Sequence, residues 1–211
     1  MTGKPGVPQG FFDAWQLFQA EAQYSESIFR SALGDMEASI AAAQRALEIK
    51  PDYPPAVLTM GSIEYQRGRQ EEGARLFRSL VSLQDESGDL WEVIDKAGDF
   101  LIRQQRYAGA LELYEAAVRR FPDRAGLYQG LACCAGHDGL FDKAVAAARK
   151  ALDLEPNRQD MTNDLGWSLF QAGRIEEAKE VLLRAVAQDP ADDLARENLR
   201  LCQAALSQRS G

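Results

Sequence analysis

Apolar and polar positions along this chain alternate with a helical period that is broken at regular places. The stretch from Ala125 to Arg158 shows it most clearly. Tyr128, Leu131 and Ala132 fall on one face of a first predicted helix. Gly139 ends that helix, because glycine accepts the backbone angles of a helix terminus. Phe141, Ala144, Ala148, Ala151 and Leu152 then trace the apolar face of a second helix. Pro156 stops it, since proline cannot donate the next hydrogen bond. Neither helix buries its stripe alone, so the pair must stack on similar pairs.

The same pattern recurs along the chain. Gly34, Gly68, Gln105, Gly139 and Gly173 start equivalent segments, at intervals of 34, 37, 34 and 34 residues. Five residues after each comes Ser39, Gly73, Ala110, Ala144 or Ala178, and seven further on Ala46, Leu80, Ala117, Ala151 or Ala185. Pro51, Asp85, Pro122, Pro156 and Pro190 close the segments. A fixed period of this length predicts a helical repeat array.

These residues carry a resemblance to the tetratricopeptide repeat family over roughly residues 20–207. The small–aromatic–small–proline signature reads Ala110, Tyr114, Ala117, Pro122 in one repeat. The family's Leu-Gly pair reads Met60-Gly61, Ala97-Gly98, Leu131-Ala132 and Leu165-Gly166. The resemblance implies an all-α fold: a right-handed superhelical solenoid of antiparallel helix pairs. The expected layout is an N-terminal tail and apolar helical segment over 1–19, then five repeats over 20–190. Those repeats are bounded near 20–53, 54–87, 91–124, 125–158 and 159–192, and a capping helix and tail occupy 191–211. In the capping helix, Leu194, Leu199, Cys202 and Leu206 continue the apolar face while Arg196, Arg200 and Gln203 make a polar outer side.

Two regions depart from the pattern. The second repeat has Asp85 in place of proline, and three extra residues, Gly88, Asp89 and Leu90, precede Trp91. A longer connection and a local change of path are expected there; a full domain boundary is the lesser alternative. At the N-terminus, Phe11, Trp15, Phe18 and Ala22 fall at helical spacing, with Phe12 and Leu17 beside them. One long helix or two short ones can occupy the stretch. It either packs on the first repeat as a cap or overhangs as a surface for self-association through Phe11, Phe12, Trp15 and Phe18. In both cases these side chains are expected to be buried, against the first repeat or in a second copy.

Composition narrows the function. The net charge is −8, which argues against nucleic acid as a partner and favours a basic one. No apolar run is long enough to span a bilayer, and residues 1–10 lack the core of a secretion signal, so a cytoplasmic home is expected. Cys133, Cys134 and Cys202 are too few for a disulfide framework and read as small core residues. His137, the single histidine, lies one helical turn beyond Cys133, but no second ligand pair completes a metal site and no third group completes a nucleophile. No phosphate-cradling loop and no cofactor motif is present. The chain reads as a non-enzyme.

What remains is the concave surface that the resemblance implies for the first helices of the repeats. By register it carries Leu58, Ser62, Tyr65 and Gln66, then Glu92, Asp95, Asp99, Ile102 and Arg103, then Gln129, Cys133, Gly136 and His137, then Asp160, Asn163, Trp167, Phe170 and Gln171. The family's carboxylate clamp is not matched: its positions hold Tyr24, Ile28, Thr59, Ser62, Glu92 and Lys96, with one suitable cation among them. The expected function is protein–protein interaction, as a scaffold, co-chaperone or assembly factor. Its groove would take a peptide or helix of a partner with basic and apolar residues. The alternative is a structural protein that oligomerises through its apolar N-terminal helix.

Overall fold

A computed structural model describes residues 9–85 and 88–209. Eleven α-helices and no strands occur among them: α1 (Gln9–Ala32), α2 (Met36–Ile49), α3 (Pro54–Gln66), α4 (Gln70–Leu80), α5 (Leu90–Arg103), α6 (Tyr107–Arg120), α7 (Ala125–His137), α8 (Phe141–Leu154), α9 (Gln159–Gln171), α10 (Ile175–Gln188) and α11 (Asp193–Arg209). Consecutive helices pack from α1 to α4 and from α6 to α11, and α7 also meets α9 as α9 meets α11. The chain forms two compact units that part after Val93, inside α5.

One turn is used five times. Gly34, Gly68, Gly139 and Gly173 adopt φ between 73° and 79°, and Gln105 adopts φ 56° at the equivalent place. Each closes the preceding helix with the same pair of bonds. At the fourth of these turns, Leu140 N–H donates to Ala135 C=O at 2.8 Å and Gly139 N–H to Gly136 C=O at 3.2 Å. At the third, Arg106 N–H donates to Leu101 C=O and Gln105 N–H to Ile102 C=O, both at 2.8 Å. This is the Schellman closure, which needs a left-handed residue.

Between the helices of a pair, large residues meet small ones at a constant offset. A Cβ on Gly61 would sit 2.7 Å from Phe77 Cδ1, and one on Gly166 would sit 2.6 Å from Leu182 Cγ. In the first repeat the equivalent positions are Ser27 and Ala43, both buried. Ser39 Oγ donates to Ser27 C=O at 2.8 Å there, a buried polar bond between the two helices. Ala43, Met60 and Ile63 form the core beside it, with Ile40, Leu47 and Leu76 packed around.

The structure corrects several sequence expectations. The N-terminal stretch is one 24-residue helix, α1. Phe11, Phe12, Trp15 and Phe18 do not fold back onto the first repeat; they are exposed. The face that α1 buries carries Ala20 and Ser27 instead. Residues 1–8 of the expected tail lie outside the described residues, as do Ser210 and Gly211. Leu194 does not join the apolar face of α11; it is exposed, and Ala195, Asn198 and Cys202 are buried in its place. Cys133 is exposed, whereas Cys134 and Cys202 are core. Asp85 has a positive role. Its Oδ1 accepts from Gly88 N–H at 2.9 Å and Leu90 N–H at 3.1 Å, which caps the start of α5.

Candidate functional site: an acidic cavity in the second unit

Tyr114 organises the site. It is fully buried on α6. Its ring lies between Gly98 of α5 and Gly130 of α7, where a Cβ on either would fall 2.6 Å from the phenol oxygen. Only glycine on both sides lets a tyrosine pass between these helices. The hydroxyl emerges beside two carboxylates. It donates to Asp95 Oδ1 at 3.0 Å, with Asp95 C=O at 3.2 Å and Asp99 Oδ1 at 3.3 Å. Burial first, then the charges of Asp95 and Asp99, hold the phenol protonated far above its usual range.

Asp95 and Asp99 form one wall of a cavity of about 500 Å³. Ile102, Gln129, Cys133, His137, Asp164 and Trp167 form much of the rest. No lysine or arginine lines it. Opposite Tyr114, Gln129 Nε2 donates to Asp164 Oδ2 at 2.6 Å and, more weakly, to Asp160 Oδ2 at 3.4 Å. The two acids are perturbed in opposite directions. Arg158 holds Asp160 through bonds of 2.6 and 2.9 Å and keeps its carboxyl below the usual range. Burial pushes Asp164 the other way, only partly offset by the Gln129 bond. The negative charge of Asp164 is therefore directed into the cavity without a cationic side chain bonded to it there.

The apolar part of the site is aromatic. Trp167 stacks on Phe170 with ring centroids 5.3 Å apart. His137 is exposed and stacks flat on Tyr107, 3.9 Å between centroids. Cys133 reaches solvent in part, yet desolvation in the cavity wall, Asp164 and Asp99 push its thiol up. Cys134 is raised to about 12, chiefly by burial. Both thiols are thus held protonated at neutral pH, the opposite of a nucleophilic cysteine. Among the described residues no three His, Cys, Asp or Glu side chains come together as a metal-ligand set.

Of the residues expected in the groove, Asp95, Asp99, Gln129, His137 and Trp167 line this cavity, together with Ile102, Cys133 and Gln171. Asn163 does not. It is buried, and its Oδ1 accepts from Asn198 Nδ2 at 3.0 Å, so it joins α9 to α11. Phe170 reaches the cavity only by supporting Trp167. Glu92 is exposed and does not line it. Leu58, Ser62 and Tyr65 belong to the first unit. Ser62 Oγ donates to Leu58 C=O at 3.0 Å, and Tyr65 stacks on Phe77 at 5.5 Å, so both serve local packing. Asp164 was not anticipated. Its signal is its register: it follows Gln129 by 35 residues, one repeat on, and the two bond across that offset.

Three models described as tetratricopeptide repeat match the chain, at residues 20–53, 96–158 and 137–208. The small glutamine-rich tetratricopeptide repeat-containing protein 2 of Mycosarcoma maydis is 26% identical over 56% of this chain and 34% of its own length. The Hsp70-Hsp90 organizing protein of Triticum aestivum is 27% identical over 50% of this chain and 18% of its own. The chain thus spans about a third or less of the length of these relatives. The crystal structure of YrrB, described as a TPR protein with an unusual peptide-binding site, aligns with a TM-score of 0.60. That alignment covers 83% of this chain and 89% of YrrB at 20% identity, a likeness of fold. No described helix is long and apolar enough to cross a membrane. By its repeats, its turns and these matches, the chain belongs to the tetratricopeptide repeat family.

Proposed function

We propose that this protein binds a peptide segment of a partner in the cavity of its second unit, and that the segment carries a basic residue followed by an apolar anchor. One observation carries the reading. Asp95, Asp99 and Asp164 converge on a concave space with no basic side chain in its lining and with Trp167 and Ile102 in its walls. A lysine or arginine placed there meets carboxylates that are already fixed, by Tyr114 on one side and Gln129 on the other. The adjoining apolar surface accepts a leucine-sized or aromatic side chain. The relatives support a binding role by what their names describe: a peptide-binding site in YrrB and an Hsp70-Hsp90 organizing protein in Triticum aestivum. Such binding suits a role as scaffold or assembly factor.

The test is a calorimetric titration with short peptides that pair arginine or lysine with leucine or phenylalanine, against sequence-matched acidic peptides. Asp99→Asn and Asp164→Asn are each expected to weaken the basic peptides by about 1 kcal/mol at low salt, the upper end for a solvent-exposed charge pair. Salt should weaken binding further. Affinity should also start to fall at a higher pH than an ordinary carboxylate would dictate, because Asp164 gains its proton early. Equal affinity for acidic and basic peptides, or an unchanged affinity in both variants, overturns the assignment.

A further inference from the structure

Helix α1 carries a second surface. Phe11, Trp15, Phe18, Ala22, Ser25, Phe29 and Ala32 alternate at spacings of four and three through the helix, and every one of them is exposed. This is the seven-residue period that places one stripe of a helix continuously against another helix. The buried residues Ala20 and Ser27 lie on the opposite side, against the rest of the first repeat. Ile28, Leu33 and Phe12 flank the stripe and are also exposed. Trp15 and Phe18 stack on each other at 5.8 Å, which fixes them as one raised ridge.

We propose that α1 pairs with α1 of a second copy of this chain, antiparallel, to make a two-fold dimer. This extends the sequence expectation of self-association to a whole helix and a defined orientation. Three observations commit the face to its own copy. The first is area. Phe11, Phe12, Trp15, Phe18 and Phe29 are 61, 50, 48, 61 and 57% exposed, and Ile28 and Leu33 are 55 and 63%. At roughly 150–250 Å² per aromatic residue, each copy offers roughly 600–700 Å² of apolar surface. Two copies then bury roughly 1,200–1,400 Å², inside the range of stable pairs. The second is shape. The stripe is bulky over residues 11–18 and thin at Ala22 and Ser25. An antiparallel partner centred on Ala22 brings Phe18 beside Ser25 and Ala22 beside Ala22, so the bulky ridge abuts the thin stretch, while Trp15 meets Phe29. A parallel partner sets Phe18 on Phe18 and Ser25 on Ser25. The third is charge. The helix holds a single cation, Arg30, bonded to Glu26 at 2.6 Å, which lacks the basic face that draws an apolar helix onto an anionic membrane.

The experiment is sedimentation equilibrium of the full chain from about 1 to 100 µM, beside Phe18→Glu and Trp15→Glu. Both sites are exposed, so the far-ultraviolet circular dichroism spectrum should be unchanged, and melting should fall only by the stabilisation that pairing supplies. A wild-type dimer with monomeric variants supports the proposal. A monomeric wild type throughout, or variants that stay dimeric, overturns it, and neither result bears on the peptide cavity. Orientation is read by oxidation in a Cys133→Ser background. Ala22→Cys should form an intermolecular disulfide, and Ala32→Cys should not, because antiparallel mates at 32 are about 30 Å apart at 1.5 Å per residue. Crosslinking at both positions overturns the antiparallel arrangement.

Discussion

Replacing Gly130 by alanine tests the packing that builds the cavity. The new Cβ would lie 2.5 Å from Tyr114 Cε1 and 2.6 Å from its Oη. Carbon atoms settle at about 3.5–4.0 Å, so the ring must move by about 1 Å. It has nowhere to go, because Gly98 on the other side already leaves only enough space for a hydrogen: a Cβ there would be 2.5 Å from Tyr114 Cε2. Overpacking of this kind costs about 1–3 kcal/mol, and the confined ring places it at the upper end. Alanine returns about 1 kcal/mol of helix propensity. The expected net loss is about 2 kcal/mol, or roughly 4–8 °C of melting temperature for a chain of this size. Two controls separate clash from propensity. Gly126→Ala lies on the same helix with its nearest neighbour, Asp95 Oδ2, at an ordinary 3.6 Å; it should stabilise by up to about 1 kcal/mol. Tyr114→Ala combined with Gly130→Ala should lose less than the two single changes added together. Urea denaturation followed by circular dichroism reads all four proteins. If Gly130→Ala proves as stable as Gly126→Ala, Tyr114 is not confined as described and the placement of Asp95 and Asp99 by its hydroxyl loses its basis.

Further predictions concern single interactions. Gln105→Gly should stabilise by about 0.5–1 kcal/mol in the same denaturation assay, because a side chain at φ 56° costs about 1–2 kcal/mol and glycine gives back part of that as unfolded-state entropy. Asn198→Ala should cost about 1–3 kcal/mol by leaving buried Asn163 without its donor; a variant with an unaltered urea midpoint would contradict the bond. Stability should fall as pH rises through the alkaline range, with the tyrosines contributing above about pH 10. Tyr53 is raised to about 12, chiefly by burial, and Tyr114 is raised in the same direction, so both stay protonated when folded while ionising near pH 10 when unfolded. Tyr114→Phe should flatten that alkaline slope, measured as urea midpoints from pH 8 to 11.5, and an unchanged slope would count against the buried phenol.

The fold was legible because its determinants are local and repeated. Gly34, Gly68, Gly139 and Gly173 mark left-handed turns that few other residues accept, and even Gln105 is found by its place in the period. The small residues at Gly61, Gly98 and Gly166 were equally visible, since each must admit a large side chain from the next helix. The site was legible only in outline. Periodicity places Asp95, Asp99, Gln129 and Trp167 on the right helices, but it cannot tell a groove residue from one spent on a neighbour. Asn163 and Asp160 hold Asn198 and Arg158, whereas Asp164, one residue beyond Asn163, faces the cavity. At the N-terminus, apolar content suggested burial. The count of aromatic residues says nothing about which face of α1 the first repeat covers, and that face is the one bearing the small residues Ala20 and Ser27.

Side-chain bonds join neighbouring repeats at nearly constant separation. Gln129 donates to Asp164, Gln159 to Asp192 at 2.7 Å, and Asn198 back to Asn163. Tyr24 and Thr59 share a hydrogen at 3.2 Å over the same 35-residue offset in the first unit. Each link needs a donor on one repeat and an acceptor on a particular neighbour. Helix α9 alone carries the acceptors for α7 and α11 and a donor for Asp192. The modules are therefore not interchangeable beads. A duplication or shuffling event that set α9 beside a different neighbour would orphan several polar groups at once, so gene rearrangements that preserve the 34-residue period can still break the protein. The order of the repeats is written in these bonds as firmly as their shape is written in the glycines.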